Sequence, residues 1–338
     1  MISMKMARNL IIGLIILIAV SPANADSFYR GKRIEMIIST VPGGGFDLYG
    51  RAFAKYLPDH LDGTPSVVIK NVFGAGGLVG MKYSLINGKT DGTHINLGMS
   101  RPVIQYILDV NRDIDPNSLN WIGSLNSDTY IFLADSQKLK NINALRSLQQ
   151  SFIIGSINSE SDSALTARLF TSILNVKPKI VNGYAGNPDI LLALERHEID
   201  GAVVSHTAVI TKKKEWLDGS DRIVAIFNTK DQIVDGIPSV MNIASNDNDK
   251  KLIEFVYSFY EFGRPLFTLP NTPKERILEL RKAFQDTVND PGYIEELKRM
   301  KIENRPVSGE SIEKLISVLN SSNDIRQRAK IVFEAEEK

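Results

Sequence analysis

Cysteine is absent from all 338 residues, which excludes a disulfide framework, a thiol nucleophile and a lipid-modified cysteine. Histidine is scarce. His60, His94, His197 and His206 are the four, no two stand at metal-ligand spacing, and no H-E-x-x-H occurs. No G-x-S-x-G elbow is present, and Ser205 and His206 are neighbours on a strand end, where successive side chains point to opposite faces. These absences argue against an enzyme. Charge of one sign is missing too: 40 Lys and Arg against 39 Asp and Glu leave a formal +1. The densest basic cluster, Lys212-Lys213-Lys214, reads as a solvated helix face, and no arginine-aromatic block marks a nucleic-acid surface. Past the N-terminus, no apolar run approaches the roughly 20 residues that span a bilayer.

The N-terminus carries the longest apolar run. Lys5 and Arg8 precede LIIGLIILIAV, Leu10 to Val20, and then SPANA. A short apolar core behind positive charges, ending in Ala23-Asn24-Ala25, reads as a secretory signal peptide cut after Ala25. The mature chain is then expected as a soluble periplasmic protein, long enough for two domains.

Short apolar runs alternate with helical patterns, which predicts α/β layers. RIEMIIS, SVVIKNV and HINLGMS read as one series of strands, and SFIIGS, PKIVNGY, IDGAVVS and RIVAIFN as a second. Between them DIDPNSLNWIGSLNSDTYIFLAD, with a turn-rich start and an extended end, is suited to carry the chain from one domain to another. Asn187-Pro188-Asp189 reads as a helix start with Asn187 as N-cap. Thr272-Pro273-Lys274-Glu275 reads as a capping box, and Asp290-Pro291 as a further start. The C-terminal third is predicted to be mostly helical.

Three consecutive glycines in STVPGGGFDLYGR stand between a strand and a helix. The register fails the dinucleotide fingerprint, because Leu48 occupies the third glycine position, and no Gly-Lys-Ser/Thr follows. Bare N–H groups at a helix start suit a carboxylate, although a purely structural turn is equally served by glycine, and Asp47 can cap the helix itself. A second such turn lies at Gly74, Gly76 and Gly77, and a third strand end at Ser100 and Arg101. All three follow strands, where open α/β sheets bind ligands.

At Pro42-Gly43-Gly44-Gly45-Phe46-Asp47, Asn71-Val72-Phe73-Gly74-Ala75-Gly76-Gly77 and Asp91-Gly92-Thr93 the chain resembles the periplasmic solute receptors of tripartite tricarboxylate transporters, the Bug or TctC type. Trp121-Ile122-Gly123, IIGSINSESDSALTARLF, GYAGNPDILLALERHEIDG and LPNTPKERI extend the resemblance over the mature chain. It implies a type II periplasmic-binding-protein fold: two α/β domains joined by two crossing segments, with a ligand cleft between them. Domain 1 would be 26–127 plus 265–338, its helical C-terminal part packed on it, and domain 2 would be 128–264. It further implies a small carboxylate ligand (di- or tricarboxylate, aromatic acid or amino acid), hinge closure, membrane permease subunits as partners, a monomer, and no cofactor.

Carried over by position, the ligand contacts are Gly44, Gly45, Phe46, Asp47, Gly76 and Ser100 in the first domain. In the second they are Asn158, Ser161, Ser163, Gly186 and Ser205. The chain departs from the pattern at Asn158-Ser159-Glu160-Ser161-Asp162-Ser163, where two carboxylates replace small residues. Either they cap the helix, with Ser161 or Asp162 as N-cap, or they meet a positive group on an amino acid. Arg101 also departs; it either pairs with a second ligand carboxylate or is a surface residue before Pro102. A sensory module serving a membrane kinase would use the same clamp, and a periplasmic hydrolase is the remaining alternative.

Overall fold

The computed structural model describes residues 27–148, 151–159, 161–219, 222–229 and 234–334. The expected signal peptide and Glu160 lie outside these residues. The strands are β1 (Arg33–Ile38), β2 (Ser66–Asn71), β3 (His94–Leu97), β4 (Asn120–Ser124), β5 (Tyr130–Asp135), β6 (Ile153–Ser156), β7 (Lys179–Asn182), β8 (Gly201–Ser205), β9 (Ile223–Asn228), β10 (Pro265–Thr268) and β11 (Val307–Ser308). The helices are α1 (Gly45–Tyr56), α2 (Leu78–Asn87), α3 (Ser100–Ile107), α4 (Asp162–Leu174), α5 (Asn187–Glu195), α6 (His206–Lys212), α7 (Asp247–Ser258), α8 (Lys274–Val288), α9 (Pro291–Arg299), α10 (Gly309–Ser321) and α11 (Asn323–Glu334).

Two mixed sheets result. One has the order β11-β4-β10-β3-β1-β2, the other β7-β6-β8-β5-β9. In the first, β1 pairs in parallel with β2 and β3, whereas β10 and β11 enter antiparallel. In the second, β6 is parallel to β7 and β8, and β5 runs antiparallel to β8 and β9. The expected α/β fold of two lobes is therefore present, and the strands read from both apolar series are in place. The burial pattern explains the order. In β1, Ile34, Met36, Ile37 and Ile38 are all fully buried, as a central strand covered on both faces must be. Edge strand β2 alternates half-buried with exposed residues.

Residues 124–130 and 258–265 cross between the lobes side by side. Leu125 N–H donates to the Arg264 carbonyl and Asp128 N–H to the Tyr260 carbonyl. A third segment braces them: Ser127 N–H donates to the Arg305 carbonyl, and Arg305 N–H donates to Asn126 Oδ1. Helices α8 and α10 pack on β4 of the first sheet and α9 packs on α1 and α8, with Leu280, Phe284, Tyr293, Leu297 and Ile312 buried. The last helix leaves that lobe. α11 packs on α7 and α4, and Arg168 Nε donates to the Val332 carbonyl at 2.7 Å. One apolar cluster consequently runs from Met81, Val103 and Trp121 in the first lobe to Phe132, Phe170 and Leu252 in the second.

Two helix starts differ from the sequence reading. Gly186, not Asn187, is the N-cap of α5, so Asn187 and Pro188 occupy the first turn. The capping box at Thr272 does not form. Its hydroxyl is buried and donates to the Leu269 carbonyl, which leaves Pro273 at the cap position without a side-chain bond. Asp290 behaves as expected, accepting from the N–H groups of Gly292 and Tyr293.

Candidate functional site

The glycine turn closes β1 and opens α1. Gly44 is the N-cap in extended conformation, and no side chain caps the helix. The first-turn N–H groups thus keep the orphan character of a helix start, with its partial positive charge. Asp47 does not take that role. Its buried carboxylate reaches back to Gly43 N–H at 2.8 Å, Arg51 Nε at 2.7 Å and Asn71 Nδ2 at 2.9 Å. Burial opposes its charge, but those donors hold the carboxyl below its ordinary range. Asp47 therefore ties the glycine turn to β2, while the Gly45 backbone stays exposed.

The second turn needs its glycines for conformation and for space. Gly74, Gly76 and Gly77 all have positive φ, as does Ala75. A Cβ on Gly77 would lie 2.7 Å from Met99 Cγ, and one on Gly76 would lie 2.9 Å from Arg101 Cδ. The Arg101 side chain thus lies over the second turn. Ser100, read as a strand end, is the first residue of α3 and half-buried.

In the second lobe, Ser161 holds the N-cap position of α4, but its hydroxyl turns to the Asn158 carbonyl at 2.9 Å and to Ser156. Asn158 itself is exposed. Ser163 is buried and donates to the Val203 carbonyl of β8, inside the lobe. Gly186 and Ser205 sit together, because Asn187 Nδ2 donates to Ser205 Oγ at 3.0 Å. Ser205 also accepts from Ala208 N–H and so caps α6. His206 points elsewhere, pairing with Glu303 at 2.8 Å across the lobes. Burial opposes the charge on Glu303, yet His206 and Arg305 hold its carboxyl low.

Residues that sequence reading did not select join the two lobes at this point. Arg264, on the second crossing segment, forms an ion pair with Asp128 on the first. Its guanidinium lies 4.5 Å from the Tyr49 ring centroid and 5.2 Å from that of Phe46. Burial works against its charge, and Asp128 more than compensates, raising the pKa. Beyond Asp128 stands Asp162, the first residue of α4. Burial pushes its carboxyl up to about 6; the Asp128 charge adds to this, and the Tyr130 and Tyr260 hydroxyls beside it offset only part. The Tyr260 hydroxyl falls short of a hydrogen bond and is buried without one. The signal in the sequence was slight: an Arg before Pro265 and an Asp before Thr129 look like ordinary linker residues.

A cavity of about 150 Å³ opens between the lobes, lined by Ser100, Arg101 and Ile104 of the first, by Asp162, Leu165 and Tyr260 toward the second, and by Phe333 of α11. Of the expected ligand contacts Ser100 alone lines it, and the glycine turn of α1 lies outside it. A larger groove of about 440 Å³, lined by Lys32, Arg33, Lys89, Asp91 and His94 among others, lies at the opposite, amino end of β1 and β3. Ligands of open α/β sheets bind at the carboxyl ends, which favours the interlobe position. Among the described residues no group of acidic, histidine or cysteine side chains is arranged to hold a metal.

No family model matches the chain. The protein BugT of Bordetella pertussis is 42% identical over 80 residues, 23% of this chain and 24% of that protein, so the match spans about a quarter of the curated relative. A TctC solute-binding protein from Polaromonas, solved without ligand, superposes with a TM-score of 0.70 at 21% identity, covering 89% of this chain and 98% of that one. MatC from Rhodopseudomonas palustris, solved with bound malate, superposes with a TM-score of 0.60 at 17% identity, covering 89% and 99%. The chain therefore shares the two-lobed fold of these solute-binding proteins, and 80 of its residues are similar to a stretch of BugT.

Proposed function

We propose that this protein is a periplasmic receptor that captures a small carboxylate between its lobes and delivers it to a membrane permease of the tripartite tricarboxylate transporter type. The observation that carries this reading is the start of α1. Its N–H groups are uncapped by any side chain, stand at the carboxyl end of β1, and adjoin the crossing segment that carries Arg264. A carboxylate there gains from the helix start, about 0.3–1 kcal/mol at an exposed site, and from closure that excludes water. The malate bound by MatC supports a small carboxylic acid as the ligand class. Gly44, Gly45, Phe46, Gly76 and Ser100 supply the first jaw, and the starts of α4, α5 and α6 (Asn158, Ser161, Gly186 and Ser205) supply the second. Asp47 serves the site by fixing the glycine turn, whereas Ser163 faces the core of the second lobe, bonded to β8. The lobes are residues 26–127 with 265–338, and 128–264, with α11 reaching across from one to the other.

Calorimetric titration of the exported protein with succinate, malate, adipate, citrate, benzoate and glutamate tests the reading. Binding of at least one acid, lost in Gly45→Val with the fold intact, is expected. Indifference to all six would count against it. Export is checked on the same sample, because the recovered protein should begin at Asp26.

A further inference from the structure

Arg264 is only half used by the protein. Nη1 is bound to Asp128. Nε is buried without an acceptor. Nη2 makes no hydrogen bond to a described residue, and it lies 4.0 Å from where a Cβ on Gly45 would be. The guanidinium lies over the Tyr49 and Phe46 rings, and Tyr49 is itself anchored by its hydroxyl on the Glu303 carbonyl. A guanidinium kept charged, fixed in orientation, and left with donors unmatched is an incomplete structural pair. Unmatched buried donors are costly, and charge-assisted bonds are the stronger kind.

We propose that Arg264 is the charged contact for the ligand's carboxylate: Nη2 and the bare N–H groups of α1 together receive one carboxylate, with Asp128 and the two rings positioning the guanidinium. This rests on the receptor reading above and adds to it the residue that supplies the charge. It also gives the third glycine of the turn a reason beyond backbone freedom. Gly45 has ordinary helical geometry, so an alanine would be tolerated by the backbone, but a β-branched side chain would stand over Nη2. The acid facing this group is Asp128, already paired through Nη1, and it does not occupy Nη2. Arginine rather than lysine is required, because a planar fork can serve Asp128 and a ligand together, whereas a lysine ammonium meets both only as a point charge.

The test uses the exported protein with succinate, malate, adipate, citrate, benzoate and glutamate as probes. Whichever of these bind the wild type are titrated into Arg264→Lys and Arg264→Gln, each checked by thermal melting. Affinity is expected to fall about tenfold or more in Arg264→Lys and about a hundredfold in Arg264→Gln, consistent with loss of a charge-assisted bond. The primary carboxamides of the same acids provide a readout that a merely structural role would not move. Wild type should prefer the acid strongly, and Arg264→Gln should lose most of that preference. Should both arginine variants fail to fold, Gly45→Val, which leaves the Asp128 pair untouched, must show the same loss. If the acids bind Arg264→Gln within about twofold of wild type, the assignment of Arg264 is overturned while the receptor reading stands; if they bind Gly45→Val equally well, the glycine turn is not the site and both are overturned. If none of the six binds the wild type, the receptor reading fails for these acids and the assignment falls with it.

Discussion

Replacing Asp162 by asparagine removes one negative charge from the half-buried start of α4 while keeping its shape. In the folded protein, burial has raised that carboxyl from its usual value near 3.8 to about 6, helped by the charge on Asp128. In the unfolded chain it titrates near 3.9, the ordinary value. Between those two values the folded state holds more protons than the unfolded one. Stability therefore falls as pH rises through the window from about 4 to about 6, and the full loss is present above it. A gap of about two pKa units is worth about 3 kcal/mol, an order-of-magnitude figure. Asp162→Asn should thus be more stable than wild type by about 2–3 kcal/mol at pH 7.5 and nearly equal to it at pH 4. Urea unfolding at both values measures this, and the melting point at pH 7.5 should rise by several degrees. An equal increment at both pH values, or a variant weaker than wild type at pH 7.5, would refute the reasoning.

Other expectations follow from the same contacts. Asp128→Ala leaves Arg264 charged and buried without its partner, so a loss of about 3–5 kcal/mol in urea unfolding is expected. Ser163→Ala removes one hydrogen bond inside the second lobe, and should lower stability by about 1 kcal/mol while leaving affinity for any bound acid unchanged. Asp47→Ala releases Gly43, Arg51 and Asn71 at once. Destabilisation of about 2–4 kcal/mol and weakened binding should appear together, because the carboxylate acts through the turn it fixes.

Much of the fold was legible because strand and helix periods are clean. The second series, from SFIIGS to RIVAIFN, could be read directly, since each run is short, apolar and bounded by turn residues. The glycine turns were legible as well, because positive φ at Gly76 and Gly77 is a local requirement. Features set by distant partners were not. Thr272 reads locally as a capping residue, yet its hydroxyl finds the Leu269 carbonyl and Thr268 instead. Ser161 and Ser163 look equivalent in sequence, but two residues at a helix start turn the side chains about 200° apart, so Ser163 faces the core. Arg264 meets Phe46 and Tyr49 from more than two hundred residues away, and only the topology brings them together. The departure of α11 toward the second lobe depends likewise on Ala329 and Val332 finding α7 and α4.

The most direct test is a crystal structure of the protein with the acid that binds it most tightly among the six probes. The account predicts a carboxylate between the lobes, within hydrogen-bond distance of the N–H groups at Gly44–Phe46 and of Arg264 Nη2. An acid seated instead in the groove beside Lys32, Lys89 and His94, with the interlobe cleft holding only water, would contradict it.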